Sequence, residues 1–293
     1  MIVDVHTHTP THRDRVPDAD VVYNAAFRPD RPVATTVSWA DHDGAQRAAG
    51  VDVAIVFNIA VRDPSAATGL PADPGRINDS TADFVRADPR RRIGFMSVHP
   101  ETPGAMAELE RCVGDLGLRG IKLGPNYQGF DPLGPAARMV YGEAERRRLP
   151  IVFHQGTSPI RDAPLRYAHP LVMDEIAIAY PELRIVMAHL GHPWQADTIA
   201  VIRKHPNVYA DVSAGFYRPW SFYAAMRLAT EWNVLEKLVF GSDYPIATPS
   251  ETADGLRALD AIPRASGLPA VPMDRIESII HRDSLSLLGL EHP

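Results

Sequence analysis

Eight short apolar runs, each followed by a loop or an amphipathic stretch, constrain this chain more than any other feature of its sequence. They are IVDVHTH (2–8), DVAIVFN (52–58), RIGFMSV (92–98), GIKLG (120–124), PIVFHQ (150–155), RIVMAH (184–189), NVYADVS (207–213) and KLVFGSD (237–243). Their length, β-branched content and flanking Gly, Pro or polar residues mark buried strands. Helical patterning occupies 41–50, 76–88, 103–117, 134–149, 171–180, 195–205, 219–233 and 251–262, and a closing helix is expected at 274–289. Strands alternating with helices imply βαβ units and a parallel sheet. Eight units favour a closed (β/α)8 barrel over an open doubly wound sheet, and no Gly-rich dinucleotide fingerprint follows the first run. The 293 residues suit one such barrel as a single domain, 1–293.

Composition narrows the function classes. Apolar residues at 45% and charged residues at 23% describe a chain able to bury a large core. The formal charge of −6, without long runs of one sign, argues against a nucleic-acid groove or a basic membrane face. Cys112 is the only cysteine, which excludes a disulfide framework and a Cys-cluster metal site. It falls in a helix-like stretch, AELERCVGDLG, where a buried apolar role is expected. The start, MIVDVHTH, lacks a basic segment followed by an apolar core, and no apolar run has membrane-spanning length. A cytoplasmic protein is expected, with a homodimer as the default among oligomers.

Twelve histidines are the unusual count, and their placement carries the functional argument. Active sites of such barrels lie at the C-terminal ends of the strands. In the first run Asp4, His6 and His8 share one parity, and Val3, Val5 and Thr7 the other. The polar set is expected to face the lumen and the apolar set the helices. Run five ends in His154, run six in His189 and run eight in Asp243, so four strands deliver imidazole or carboxylate to one rim. His6, His8, His154 and Asp243 would satisfy a divalent ion, Zn²⁺ in the first instance with Mn²⁺ as alternative, leaving a position for water. Bound there, an ion lowers the pKa of water from about 15.7 towards about 7. Two stretches, 9–40 and the Pro-rich 60–75, are long enough to act as lids over the mouth.

The same residues carry a family resemblance. DVHTH at the first strand, IVFHQG at the fifth, VMAHLGHPW at the sixth and FGSDYP at the eighth resemble the amidohydrolase superfamily, and its amidohydrolase-2 branch most closely. The resemblance spans the chain in the family's order. It implies a metal-binding barrel with His6, His8, His154 and Asp243 as ligands and His189 beside the metal-bound water. Members resembling this chain hydrolyse lactones or C–N bonds, hydrate double bonds, or decarboxylate aromatic and muconate acids. A metal-dependent hydrolase acting on a small carboxylated or cyclic ester or amide is the leading expectation. A non-oxidative decarboxylase of an aromatic or unsaturated acid is the alternative. A non-catalytic metal-dependent binding protein is the third reading, disfavoured because all five positions are intact. In either enzyme Asp243 would ligate and accept a proton, and His189 would orient water or act as general acid–base.

Other residues are less determined. Lys122 shares no parity with Ile121 and Leu123 and should face the lumen. There it would contact a substrate carboxylate, be carboxylated to bridge two metals, or pair with Asp4 or Asp211. Arg161 and Arg218 follow strands five and seven, where either can pair with a substrate carboxylate or be a solvated surface arginine. Asn126 and Tyr127 follow strand four as candidate substrate contacts. Asp211, Ser213, His99 and His192 divide between structural and functional roles. Trp39, Phe216, Tyr217 and Trp220 could wall a pocket, with core packing the plainer reading.

Overall fold

The structure is a computed structural model that describes residues 1–60 and 74–293. The candidate lid at 60–75 therefore lies almost wholly outside the described residues. All eight apolar runs form strands: β1 (Val3–His8), β2 (Val53–Phe57), β3 (Arg92–Gly94), β4 (Ile121–Leu123), β5 (Ile151–Phe153), β6 (Ile185–Met187), β7 (Val208–Asp211) and β8 (Leu238–Val239). Between them run α1 (Trp39–Ala48), α2 (Pro74–Ala87), α3 (Ala105–Gly114), α4 (Pro125–Gln128), α5 (Pro135–Arg147), α6 (Leu171–Ala179), α7 (Gln195–Lys204) and α8 (Pro219–Glu231). After β8 come α9 (Pro249–Arg257), α10 (Ala261–Ser266), α11 (Met273–Ile280) and α12 (Ser284–Leu287).

Every strand pair is parallel, in the orders β1-β2-β3 and β4-β5-β6-β7-β8. Backbone hydrogen bonds close both seams. Met96 N–H donates to Gly120 O at 2.9 Å and Lys122 N–H to Met96 O at 2.7 Å, joining β3 to β4. Val5 N–H donates to Phe240 O at 3.0 Å and His8 N–H to Tyr244 O at 2.8 Å, joining β8 to β1. The sheet is thus the expected (β/α)8 barrel, and closure removes its aggregation-prone edges.

Two apolar layers hold it. Val3, Val5, Ile55, Ile93, Val152, Val186, Tyr209 and Val239 form one buried cluster drawn from around the barrel, which is the lumen core. Leu285, Leu288 and Leu290, in and just after α12, join that cluster. The intervening positions, such as Ile121, Phe153, Met187 and Phe240, pack outward with Tyr141, Ile176, Ile199 and Met226 from the helices. Each fully buried side chain of this size contributes roughly 1.5–3 kcal/mol. Capping boxes start α1 at Ser38 with Asp41 and α9 at Thr248 with Glu251, satisfying orphan N–H groups at both helix starts. Cys112 is buried in α3, as its sequence context implied. Among the described residues no helix is long and apolar enough to cross a membrane.

His42 of α1 shows how tightly the helical layer is packed. It is 1% exposed, with its ring edge-on to Phe84 and Tyr244 and its Nε2 3.2 Å from Thr7 Oγ1. Burial pushes its pKa from 6.5 down to about 3. Between those values the unfolded chain binds a proton that the folded chain refuses, so His42 removes stability as pH falls from 6.5 towards 3. Urea unfolding of wild type and His42→Gln at pH 7 and pH 5 should show the variant losing less stability on acidification, by about 1 kcal/mol or more. Equal losses would mean that His42 is not the group that titrates.

Candidate metal centre and its cavity

Strand one reaches the lumen by an irregularity that simple alternation does not predict. Val3 pairs with Val53 and Asp4 with Ala54, but the next partners are Thr7 with Val56 and His8 with Phe57. Val5 and His6 together therefore face Ile55 alone, a β-bulge. Val3 and Val5 sit in the lumen core, opposite to the alternation expected of them. Asp4 does not enter the lumen with the histidines. It accepts hydrogen bonds from Gln46 of α1 at 3.2 Å and from the Ser242 hydroxyl at 2.6 Å and backbone N–H at 2.9 Å. Burial raises its pKa to about 6. Beyond the bulge the phase is restored: Thr7 donates to Ile55 O at 3.0 Å, and His6 and His8 line the cavity.

Asp211 fixes the ring that the bulge delivers. His6 Nδ1 lies 2.8 Å from Asp211 Oδ2, so the Nδ1–H donates there and Nε2 faces the centre. From that Nε2, Asp243 Oδ1 is 3.2 Å away and Lys122 Nζ 3.4 Å. His8 Nε2 is also 3.2 Å from Asp243 Oδ1. The other oxygen, Asp211 Oδ1, accepts from His189 N–H at 3.0 Å and from the Ser213 hydroxyl at 2.5 Å. Ser213 in turn accepts from His189 Nδ1–H at 2.8 Å, which leaves His189 Nε2 as the free acceptor. One carboxylate thus sets the tautomers of two histidines, the outer-shell arrangement that orients metal-ligating imidazoles. Asp211 was readable from sequence only as a polar residue of β7. Gly241 is glycine because a Cβ there would meet His6 Cβ at 2.9 Å and Asp211 Cβ at 3.3 Å.

The electrostatics are those of a site built for positive charge. Burial opposes ionisation of Asp211 and Asp243, yet the facing imidazoles hold both carboxyls below the usual range. Burial also lowers His8 and pushes His189 down to about 4. Lys122 is pushed down to about 8 by burial, against the pull of Asp211 and Asp243. His6 moves upward, because the two carboxylates outweigh its burial and Lys122. Ligand atoms of His6, His8 and Asp243 all lie within 4.8 Å of one another, as do those of His6, His189 and Asp211. His154 belongs to neither group, but its Nε2 is buried without a partner and its ring centroid is 5.0 Å from that of His189. Neutral imidazole nitrogens beside an ionised carboxylate, with one orphaned nitrogen at the same cavity, fit a divalent ion. Asp243 itself sits at φ 65° and His189 at φ 58°, left-handed backbone that concentrates at functional positions.

Above these groups opens a cavity of about 340 Å³. Lys122, Tyr127, His192 and Arg218 line it, in accord with the lumen parity of Lys122. The 9–40 stretch contributes Thr9, Thr11, Phe27 and Val37, so it does lie at the mouth. Asn58, at the end of β2, and Gln155, next to His154, also line it and were not singled out in the sequence. Two candidates fall outside. Arg161 is exposed, because the loop after β5 lines the cavity through Ile160 and then turns outward. Asn126 is buried in the single turn of α4 without facing the cavity, while its neighbour Tyr127 packs its ring 4.4 Å from that of His154. His99 is buried with Nε2 2.8 Å from Gln128 O, a structural role. Trp39 packs on Phe84, and Trp220 is exposed, so neither walls the pocket.

Comparison with known proteins agrees with this architecture. The amidohydrolase family profile matches residues 3–276, and the chain belongs to that family. A 2-amino-3-carboxymuconate-6-semialdehyde decarboxylase from Dictyostelium discoideum is 26% identical over 131 residues, 39% of this chain and 36% of that protein. A gamma-resorcylate decarboxylase from Rhizobium radiobacter is 28% identical over 142 residues, 40% of this chain and 43% of that protein. The chain thus spans about two fifths of the length of the curated relatives it matches. Solved structures match throughout. A dihydroxybenzoic acid decarboxylase from a Polaromonas species, with bound manganese and 2-nitroresorcinol, has TM-score 0.63 and 17% identity over 98% of this chain and 96% of that one. A structure described as a probable 2-pyrone-4,6-dicarboxylic acid hydrolase from Acinetobacter baumannii has TM-score 0.64 and 18% identity over 99% of both chains. At these identities the structural matches establish the fold alone.

If Asp211 orients His6 as described, Asp211→Asn should weaken affinity for a divalent ion by about 10- to 100-fold, measured by competition with a chelator. Wild-type affinity in a folded variant would detach Asp211 from the centre.

Proposed function

We propose that this amidohydrolase-family chain is a metal-dependent, non-oxidative decarboxylase of a small aromatic or unsaturated carboxylic acid. The observation that carries this reading is that the curated relatives it matches are decarboxylases, and it favours this alternative over the hydrolase expected first. The cavity agrees: Lys122 and Arg218 line it together with the His6, His8 and Asp243 cluster, offering cations to an acid. Hydrolysis would use the same residues, and what speaks for it is a likeness of fold, which does not choose a reaction.

His6, His8, His154 and Asp243 would hold one divalent ion, with Zn²⁺ suited to a donor set of imidazoles and one carboxylate and Mn²⁺ the alternative. When bound, it supplies Lewis-acid stabilisation of negative charge on substrate oxygens. The rest falls to the protein. The Arg218 guanidinium pairs with the substrate carboxylate, and Lys122, held over the Phe57 ring at 4.7 Å, adds charge from the lumen side. Loss of CO₂ leaves the bonding electron pair on the substrate carbon, which must then gain one proton. In a phenolic acid Asp243 Oδ1, 3.2 Å from both His6 and His8, would take the proton of a ring hydroxyl and pass it to that carbon, and the phenolate left behind regains a proton from solvent. His189, with its pKa near 4, stays neutral at pH 7 and orients the reacting group through Nε2.

Carboxyl-¹³C-labelled 2,6-dihydroxybenzoate and muconate-type acids, incubated in H₂¹⁸O, should release ¹³CO₂ and leave no ¹⁸O in the organic product. Incorporation of ¹⁸O into the organic product without gas release would establish hydrolysis instead. His154→Ala and Asp243→Ala should each lose bound metal and turnover together; stoichiometric metal in both would refute the ligand assignment. His189→Asn should keep the metal and lose turnover by about 10²-fold. Undiminished turnover would remove His189 from the reaction.

A further inference from the structure

Arg28 lies in the aperiodic stretch after β1, where no sequence pattern marks it, yet its side chain is 2% exposed. Its guanidinium ties together three loops around the cavity mouth. Nε and Nη2 donate to the two oxygens of Asp30 at 3.0 and 2.5 Å. Nη1 donates to Glu251 Oε1 at 2.9 Å and to Ile246 O, in the loop after β8, at 3.4 Å. It also stands 5.1 Å from the ring centroid of Phe216 and 4.9 Å from that of Tyr217, both in the loop after β7. Two of these partners are themselves fixed. Glu251 is the capping-box residue of α9, and Phe216 packs against Gly255, where a Cβ would come within 2.2 Å of Phe216 Cβ.

The Tyr217 ring is shared with a second cation. Arg218 places its guanidinium 4.7 Å from the same centroid, with Nη1 donating to Ala214 O at 3.1 Å. One aromatic ring thus contacts two arginine cations and attracts both. One of them is locked and buried; the other lines the cavity.

We infer that Arg28 is a positioning residue for Arg218: acting through Tyr217, it sets where the Arg218 guanidinium stands and so how firmly the site grips an anionic substrate group. This rests on the reading that Arg218 pairs with the substrate carboxylate. A flexible arginine held in advance loses less freedom on binding, which is how preorganisation raises affinity. Arg28 touches no substrate in this account, and its effect should be specific to the charged group.

The test is stopped-flow titration of Zn²⁺-loaded protein, read before turnover, with 2,6-dihydroxybenzoate and with its uncharged isostere 2,6-dihydroxybenzamide. Wild type should bind the acid more tightly, and Arg218→Ala should weaken the acid by about 10-fold or more with little change for the amide. Arg28→Met should weaken the acid by about 3- to 10-fold, leave the amide within about 2-fold and retain metal. Combined with Arg218→Ala it should add no further loss, since both variants remove one grip. Tyr217→Leu should reproduce the Arg28→Met pattern and carries the test should Arg28→Met not fold. An Arg28→Met variant with wild-type affinity, with equal losses for acid and amide, or with losses additive to Arg218→Ala overturns the inference while the role of Arg218 stands. No preference of wild type for the acid, or no effect of Arg218→Ala, overturns the carboxylate reading and this inference with it.

Discussion

Everything at this rim depends on two neighbouring residues of one strand facing the same way. A regular strand would send Val5 and His6 to opposite sides of the sheet, and the barrel would lose either a core valine or the central imidazole. The bulge opposite Ile55 lets Val5 stay in the lumen core while His6 rises beside Asp211. It also turns Thr7 back to the helical layer, where it meets His42, and returns His8 to the lumen. The cost of an unpaired backbone position is offset on both sides, below by apolar packing and above by the hydrogen bond to Asp211.

The charged groups then balance one another. Two buried carboxylates, Asp211 and Asp243, are tolerable only because imidazoles and the Lys122 amine face them. Buried ion pairs of this sort are poor sources of stability, since desolvation offsets most of the attraction. Their presence is better explained by what they hold in place. Asp211 spends both of its oxygens on orienting other groups, whereas Asp243 points an oxygen at His6 and His8 from a left-handed backbone position.

The sequence disclosed the barrel because strand and helix periods alternate eight times, and burial on both faces makes each strand a plain apolar run. It disclosed His6, His8, His154, His189 and Asp243 as strand-end residues because polar side chains at the close of apolar runs stand out. Lys122 was placed correctly because β4 carries no irregularity. Asp4 was not, because a bulge is a matter of hydrogen-bond register and leaves no mark on residue types. Arg161 and Arg28 make the same point from opposite directions. Both are arginines in aperiodic loops, and only the path of the backbone sends one into solvent and buries the other among carboxylates and rings. Asn58 and Gln155 also close apolar runs, but a neutral amide there carries no ligand or acid–base signal, and Phe27 lies in a stretch without periodicity.

The leucines that join the lumen core from α12 have a bearing on how such a chain comes into being. Val3 and Val5 leave the ribosome some 280 residues before Leu285, Leu288 and Leu290, and the two sets belong to one cluster. Until the later set is synthesised, the inner face of β1 has no complete partner, and its pairing with β8 is likewise deferred. The nascent barrel must therefore wait with an open seam and exposed valines, the kind of interval in which large domains meet chaperones or aggregate.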